Sequence, residues 1–531
     1  MSTAIELLKQ GRREEMWRKY CGFLELSLDE FMDIQGRLLM EQVSLLSRCE
    51  LGRRLFGDLV PASPEEFREI VPLTTYDTYR PFLENRAAQP GWLPSETSLW
   101  ARTSGRSSEY TCKWSPYSRA MVGKIGEFAV ASFILASCSG HGDIRLDPGD
   151  VCLYTLAPAP YFTGAAVARG LQEQLQMKFI PPLEAGDRME FEQRIREGFR
   201  LALTTGIDFF YGLSSVLRAI AEQFQQGSGT FKFSPDMLNP GLLYRVANGL
   251  ARSKISRRGM LPRDLWKIKG IVAGGMDTSF YSAAIEAAWG RKPLEGYGGT
   301  ELGGVALQAW NYKGMSFLPD CNFLEFIAES DFYLSQEDPA YQPGTYTLAD
   351  VQPGVCELVI TNFHGGVFTR YRTGDLIEIV ALRDDELGTA TPQMKFHARA
   401  DGVLDVGGFT RLTEKSIFQA IVDTCLPYVD WTARKEYVNG KPRLHIYLEL
   451  SLDSSNGNVK HAIHDRLAEQ DPGYAELESM LGIDPLMVTV LPRGAFVQYR
   501  EERKAAGAEL AHLKPPRMNA PDAMIQRLLR R

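Results

Sequence analysis

Between Leu24 and Leu39 apolar residues recur mostly at three- and four-residue steps. Leu24, Leu28, Phe31, Met32, Leu38 and Leu39, with Ile34 between them, predict an amphipathic helix. Residues 12–57 read as mostly helical. Ser27 just before Asp29 and Glu30 marks a helix start, because a serine oxygen there can accept from first-turn amides that lack a partner in the helix. Pro61-Ala-Ser-Pro64 breaks the pattern. A new helix begins near Glu65 and leads into Val71-Pro-Leu-Thr-Thr-Tyr76.

From about residue 95 the period switches back and forth between strand and helix. Val151 to Thr155, Ile207 to Tyr211 and Ile268 to Gly275 are short apolar strand candidates. Met189 to Thr205, Val216 to Phe224 and Ser279 to Trp289 repeat at helical spacing. This alternation predicts an α/β fold. A strand-rich block follows from Asn322 to Val380, with Glu357 to Thr361 and Leu376 to Val380 as its clearest strands. Residues 384–392 read as a turn or loop. The tail then runs strand (Leu444 to Leu450), helix (Val459 to Leu467), strand (Leu486 to Leu491), helix (Ala495 to Ala506), as in a small α+β lobe. We place the junction between Phe396 and Asp401.

Composition narrows the function classes. The chain has 531 residues, 44% apolar, with a net charge of −7. Bulk charge therefore recruits neither nucleic acid nor an anionic membrane, although a local basic pocket remains compatible with it. Met1 to Gln10 is charged and amphipathic, unlike a signal peptide. The most apolar run, Phe128 to Ser137, is too short to span a bilayer. Eight scattered cysteines without a CxxC fit a reduced, cytoplasmic protein.

Two segments carry most of the candidate chemistry. In Tyr297-Gly-Gly-Thr-Glu301 a strand enters a glycine bend. Gly298 and Gly299 permit close backbone approach to a ligand. Tyr297 can stack on a purine, Thr300 can donate to a phosphoryl oxygen, and Glu301 offers magnesium a hard oxygen ligand. An ordinary glycine turn with a buried tyrosine is the alternative. In Arg370-Tyr-Arg-Thr-Gly-Asp375, Asp375 precedes an apolar strand, where its carboxylate can accept both ribose hydroxyls. Arg370 and Arg372 share a side if the segment is extended, and one can meet a phosphate bidentately. A turn bearing a surface salt bridge would look the same.

Weaker signals surround these. Thr103-Ser-Gly-Arg-Ser-Ser108, with Lys113 beyond, is a hydroxyl-rich loop suited either to phosphate or to solvent, and it is not a GxxxxGK[ST] P-loop. Gly274 and Gly275 end an apolar strand, where an adenine or a packing turn would fit. His461 and Asp465 spell HxxxD, but a metal pair would need a further ligand, and their neighbours read as a solvated helix face. Phe128, Phe133, Tyr161, Phe162, Phe210, Tyr211 and Trp310 suit an apolar acyl pocket or plain core.

In this order the segments resemble the adenylate-forming superfamily of acyl-CoA synthetases and luciferases, and within it the GH3 acyl-acid-amido synthetases in a bacterial-like form. Phe23 to Phe31 with Ile34-Gln35, Phe67 to Tyr76, Thr103-Ser-Gly105, Glu295 to Glu301, Tyr371 to Asp375 and Lys514-Pro-Pro-Arg517 carry the resemblance. It implies a large N-terminal adenylation domain (1–396, with a helical segment 1–90) and a small mobile α+β lobe (397–531). It also implies ATP and Mg2+ as cofactors, a carboxylic-acid substrate and an amine acceptor, an amino acid, with no nucleic-acid or membrane partner.

Residue roles follow from the same resemblance. Thr103, Ser104 and Gly105 match the phosphate loop, continued by the hydroxyls of Ser107 and Ser108. Tyr297 matches the adenine-stacking ring, Thr300 the α-phosphate contact, Glu301 the magnesium ligand and Asp375 the ribose aspartate. Arg399 matches the arginine that opens the lobe, with Asp401 near the hinge, and Lys514 a late catalytic lysine. The loop departs from the family, which continues with two threonines and another glycine where this chain has Arg106-Ser-Ser-Glu-Tyr-Thr-Cys-Lys113. An acyl-CoA ligase and a non-catalytic acyl- or nucleotide-binding protein retaining the fold are the competing expectations.

Overall fold

The computed structural model describes residues 2–84, 86, 90–103, 113–189, 191–225, 240–274, 278–338, 340–406, 410–438, 441–451, 456–481, 484–505 and 515–530. The chain divides into two compact units. The first runs to Phe396, and the second takes His397–Arg531 together with Gly374–Leu376.

The N-terminal helices form where their caps and stripes require. Ser27 caps the helix Leu28–Leu46 in a reciprocal box with Glu30, whose carboxylate accepts from the Ser27 amide at 2.9 Å. Phe31, Leu38, Leu39, Val43 and Leu46 form its buried stripe. The next predicted start is also present, with Ser63 capping Pro64–Ile70 and Pro64 in the first turn.

The first unit is organised by one long sheet. In chain order its strands are β3 (Val151–Tyr154), β4 (Lys178–Ile180), β5 (Phe209–Leu213), β6 (Gly270–Gly274), β7 (Pro293–Gly299), β8 (Gly303–Gln308), β9 (Met315–Phe317), β10 (Asn322–Ala328), β11 (Tyr346–Thr347), β12 (Gly354–Asn362), β13 (Tyr371–Ala381) and β14 (Gln393–Arg399). A separate hairpin, β1 (Leu99–Arg102) with β2 (Trp114–Tyr117), precedes them. Across the sheet the order is β11-β10-β12-β13-β14-β9-β8-β7-β6-β5-β3-β4. The strands from β4 to β7 are parallel, and β7, β8 and β9 are antiparallel. The parallel strands read as unbroken apolar runs because helices cover both faces. Leu153, Phe209, Phe210, Ile271 and Leu294 are fully buried.

The apolar run at 128–137 belongs to a longer helix, Arg119–Ser137. At 19 residues that helix is long and apolar enough to cross a membrane by composition, yet it is mostly buried inside the fold. A Cβ on Gly126 would lie 2.8 Å from the Gly170 carbonyl oxygen, so this helix sits directly against Ala168–Leu175. The helix Glu329–Glu337, inside the block read as strand-rich, has no strong period of its own to announce it.

The second unit carries a hairpin, β15 (Val403–Val406) with β16 (Thr410–Thr413), and a three-stranded sheet. That sheet pairs β17 (Tyr428–Val438) antiparallel to β18 (Lys441–Leu450), and β18 parallel to β19 (Leu486–Leu491). Helices Asn456–Gln470 and Ala495–Ala505 complete the expected strand–helix order. Helix Pro472–Leu481 also lies between the strands and is an addition to that order. On β17 and β18, Glu436 accepts from Tyr447 at 2.7 Å and lies 2.7 Å from His445 Nδ1. Burial alone would raise the Glu436 pKa, but these contacts and Arg434 outweigh it and hold the carboxyl at about 2.

Candidate functional site

Two of the segments singled out in the sequence meet directly. The Thr74 amide donates to the Arg370 carbonyl at 2.8 Å, and the Arg372 amide donates to the Thr74 carbonyl at 2.9 Å. The Thr74 hydroxyl and the Tyr79 phenol both bond the Thr369 carbonyl, at 2.7 and 2.9 Å. Val71 to Tyr76 thus adds a short parallel bridge beside the start of β13.

This junction places a lysine against a carboxylate. Lys113 Nζ lies 3.6 Å from Glu301 Oε1, and both side chains are largely shielded. The same ammonium donates to the Tyr371 hydroxyl at 3.3 Å, and that hydroxyl reaches Glu301 at 3.5 Å. The Tyr76 ring centroid is 5.2 Å from Nζ, within cation–π range. Lys113 is fixed by its backbone, since its carbonyl accepts from the Thr103 amide at 2.9 Å and its amide donates to Thr103 Oγ1 at 3.1 Å. These bonds extend the β1–β2 hairpin to Thr103 and Lys113.

Thr300 and Glu301 are held through their backbones. Burial pushes the Tyr117 phenol well up, keeping it protonated as a donor to the Thr300 carbonyl. Asn362 Nδ2 donates to the Glu301 carbonyl at 3.0 Å. The Thr300 hydroxyl reaches the Arg102 carbonyl at 3.5 Å. With the main chain fixed, the Thr300 hydroxyl and the Glu301 carboxylate sit at the β7–β8 turn, the first on the Arg102 carbonyl and the second facing Lys113 and Tyr371. Among the described residues no three His, Cys, Asp or Glu side chains form a metal cage. A single carboxylate completed by phosphate oxygens is an ordinary magnesium arrangement, and Glu301 is a hard oxygen donor of that kind.

Several sequence expectations need correction. Gly298 is required by the hairpin itself, because a Cβ there would fall 2.3 Å from the Gly303 carbonyl oxygen. Tyr297 is buried in the cluster that also holds Tyr371, with its ring 5.9 Å from Phe396. Arg370 is not extended, having φ +44°. Its guanidinium is buried against Glu325, 2.9 Å away, and also donates to the Arg68 carbonyl and Thr345 Oγ1. Arg372 is held by Glu357 at 2.6 Å. Neither guanidinium is presented for a phosphate, and neither ion pair is a surface one. Desolvation makes each buried cation require its carboxylate.

Of the proposed aromatic pocket, Phe133 and Phe210 are fully buried core, and Trp310 packs on Trp17. Tyr161 and Phe162 do border the site. Arg102 lies over the Tyr161 ring and donates to its hydroxyl at 2.9 Å, and Phe162 stacks on Tyr117. Gly274 ends β6, and among the described residues no atom lies within 4 Å of a Cβ built on it. Within the second unit Arg399 Nε lies 4.0 Å from the Asp375 carboxylate. His461 and Asp465 are exposed on the helix Asn456–Gln470. Ser104, Gly105, Ser107, Ser108, Gly275 and Lys514 lie outside the described residues.

Sequence reasoning gives no role to Tyr117 or Tyr371. Tyr371 stands inside a quoted segment, but Tyr117 has no local motif to find it by.

Comparisons with known proteins agree with this architecture. Residues 315–399 match the GH3 family central domain, and residues 414–522 the GH3 family C-terminal domain. The chain is 26% identical over 235 residues to jasmonoyl–L-amino acid synthetase GH3.5 of Oryza sativa subsp. japonica, covering 40% of this chain and 38% of that protein. It is 27% identical over 225 residues to indole-3-acetic acid-amido synthetase GH3.10 of Arabidopsis thaliana, covering 39% and 36%. The aligned part is thus under half the length of either relative. The fold superimposes on AtGH3.15 acyl acid amido synthetase in complex with 2,4-DB with a TM-score of 0.68 at 15% identity, covering 97% of this chain and 96% of that one. It also superimposes on 2-hydroxyisobutyryl-CoA ligase in the postadenylation state with a TM-score of 0.63 at 16% identity, covering 95% and 93%. Residues 315–399 and 414–522 are thus similar to the central and C-terminal domains of the GH3 family.

Proposed function

We propose that this protein is an ATP-dependent acyl-acid-amido synthetase, which joins a carboxylic acid to an amine, an amino acid, through an acyl-adenylate. The observation that carries the reading is the cluster at the β7–β8 turn. There Lys113, Glu301, Tyr371 and the backbone-anchored Thr300 converge beside the end of the β1–β2 hairpin. The two GH3 domain matches and the amido-synthetase names of the partial relatives support the same chemistry.

In the first half-reaction an acid oxygen attacks the α-phosphorus of ATP and pyrophosphate departs. Negative charge builds on the phosphoryl oxygens, so pre-oriented donors lower the barrier. Thr300 Oγ1 is the donor offered to the α-phosphate. The Lys113 ammonium, already held near Glu301, is placed to exchange that carboxylate for phosphate oxygens. Mg2+, held by Glu301 with phosphate oxygens, supplies charge neutralisation when bound. Asp375 is assigned to the ribose hydroxyls and Tyr297 to the adenine face, where its burial leaves only part of the ring accessible. In the second half-reaction the amine attacks the acyl carbonyl, the C–O bond to AMP breaks, and the amine proton is lost. Lys514 is the candidate to assist there.

Acid-dependent exchange of labelled pyrophosphate into ATP tests the first step, over a panel of benzoates, aryl-acetates, indole acids and fatty acids. Exchange with one acid class establishes adenylation. ATP binding with no exchange across the panel favours the non-catalytic reading. Supplying preformed acyl-AMP with either an amino-acid mixture or CoA then separates amide formation from thioester formation.

A further inference from the structure

The helix Pro240–Ile255 buries one face and leaves the opposite arc exposed. Leu242, Gly249 and Ser253 point inward, and a Cβ on Gly249 would lie 3.1 Å from Leu265 Cδ2 and Met260 Sδ. On the outer arc Leu243, Tyr244, Leu250 and Ile255 are 55%, 71%, 48% and 82% exposed. This is the densest run of exposed large apolar side chains among the described residues. Leu243, Ala247, Leu250, Ala251 and Lys254 repeat at three- and four-residue steps, so the arc is continuous along the helix.

The charge of this stretch is one-sided. From Pro240 to Arg263 there are six basic residues and no Asp or Glu, in a chain whose net charge is −7. Arg245 is turned inward onto the Leu203 and Thr204 carbonyls, and Arg258 is paired with Asp264. Arg252, Lys254 and Arg257 remain exposed at the C-terminal end of the apolar arc.

We propose that this helix docks the protein on an anionic lipid surface, lying in the interface with Leu243, Tyr244, Leu250 and Ile255 among the headgroups and Arg252, Lys254 and Arg257 against the phosphates. An apolar arc ending in basic residues is the composition of an interfacial helix. The exposed charged side chains of this stretch are all basic, so an anionic surface is the complementary occupant. The negative charge of the whole molecule does not prevent docking, since at physiological salt only charges within about 8 Å of the surface act strongly.

Co-sedimentation of the full chain with vesicles tests this. Vesicles of phosphatidylcholine mixed with phosphatidylglycerol should carry the protein down, vesicles of phosphatidylcholine alone should not, and added salt should release it. The double variant Arg252→Glu/Lys254→Glu should lower the partition coefficient at least about tenfold, since each basic residue near the surface contributes roughly a factor of five. Leu250→Ser/Ile255→Ser should lower it comparably. Both double variants alter exposed positions and should melt as the parent does. Equal recovery in the supernatant with both vesicle types overturns the proposal, as does unchanged binding by both variants. A dimer that Leu250→Ser/Ile255→Ser converts to monomer, without vesicle binding, assigns the face to self-association and also overturns it.

Discussion

Lys113 Nζ stands 3.6 Å from Glu301 Oε1, joining the residue just before β2 to the β7–β8 turn across 188 residues of chain. The pair is shielded but not sealed, so its own contribution to stability is small, about 1 kcal/mol or less. Its value is chemical, because it holds an ammonium and a carboxylate where phosphates would need a cation and a metal ligand.

Glu301→Gln should therefore separate activity from stability. Acid-dependent pyrophosphate exchange should fall by about 10²-fold or more, as for other groups that stabilise developing charge. Thermal melting should shift little. Parent-like exchange in this variant would remove Glu301 from the site.

Arg370→Met should behave oppositely. Glu325 is wholly buried beside it, and removing one partner of such a pair costs about 3–5 kcal/mol when the other is left uncompensated; Arg68 Nε, 3.6 Å from the same carboxylate, offsets part of that loss. Urea denaturation should register that loss, while the KM for ATP of the folded fraction stays near the parent value. A raised KM with unchanged stability would restore Arg370 as a phosphate ligand.

Two glycines give a paired test. Gly298→Ala should destabilise the β7–β8 hairpin, since its methyl would collide with the Gly303 carbonyl oxygen. Among the described residues Gly274→Ala meets no atom within 4 Å and should melt like the parent. If the nucleotide lies against β6, Gly274→Ala should still weaken ATP binding, and an unchanged Kd by calorimetry would exclude that placement.

Glu436 predicts an acid limb to the stability of the second unit. Its pKa is lowered from 4.5 to about 2 in the fold. A lowered carboxyl pKa stabilises the folded state fully above the unfolded value, and that contribution fades as pH falls from about 4.5 to about 2. The difference in melting temperature between the parent and Glu436→Gln should thus be greatest above pH 4.5 and shrink toward pH 2. A difference independent of pH would contradict the linkage.

Local signals were legible where one short segment contains its own cause. The helix start at Ser27, the new helix near Glu65, the apolar strands between helices and the strand–helix order of the tail all follow from caps, breakers and period. The roles of the two arginines were not legible. Whether Arg370 faces a ligand or Glu325 depends on a left-handed φ and on a carboxylate 45 residues away. Gly298 shows a related limit, because a glycine allows close approach without saying by what, and here the Gly303 carbonyl is one such neighbour.

The sequence by itself determined the α/β class, the helical N-terminal region, the small α+β tail and the segments worth inspecting. Each depends on periodicity or on chemistry within a few residues. Only the tertiary structure decided that Lys113 meets Glu301, that Val71 to Tyr76 bridges to β13, and that Tyr117 anchors Thr300. Those contacts join positions far apart in the chain, and their energies depend on distance and shielding, which no local pattern encodes.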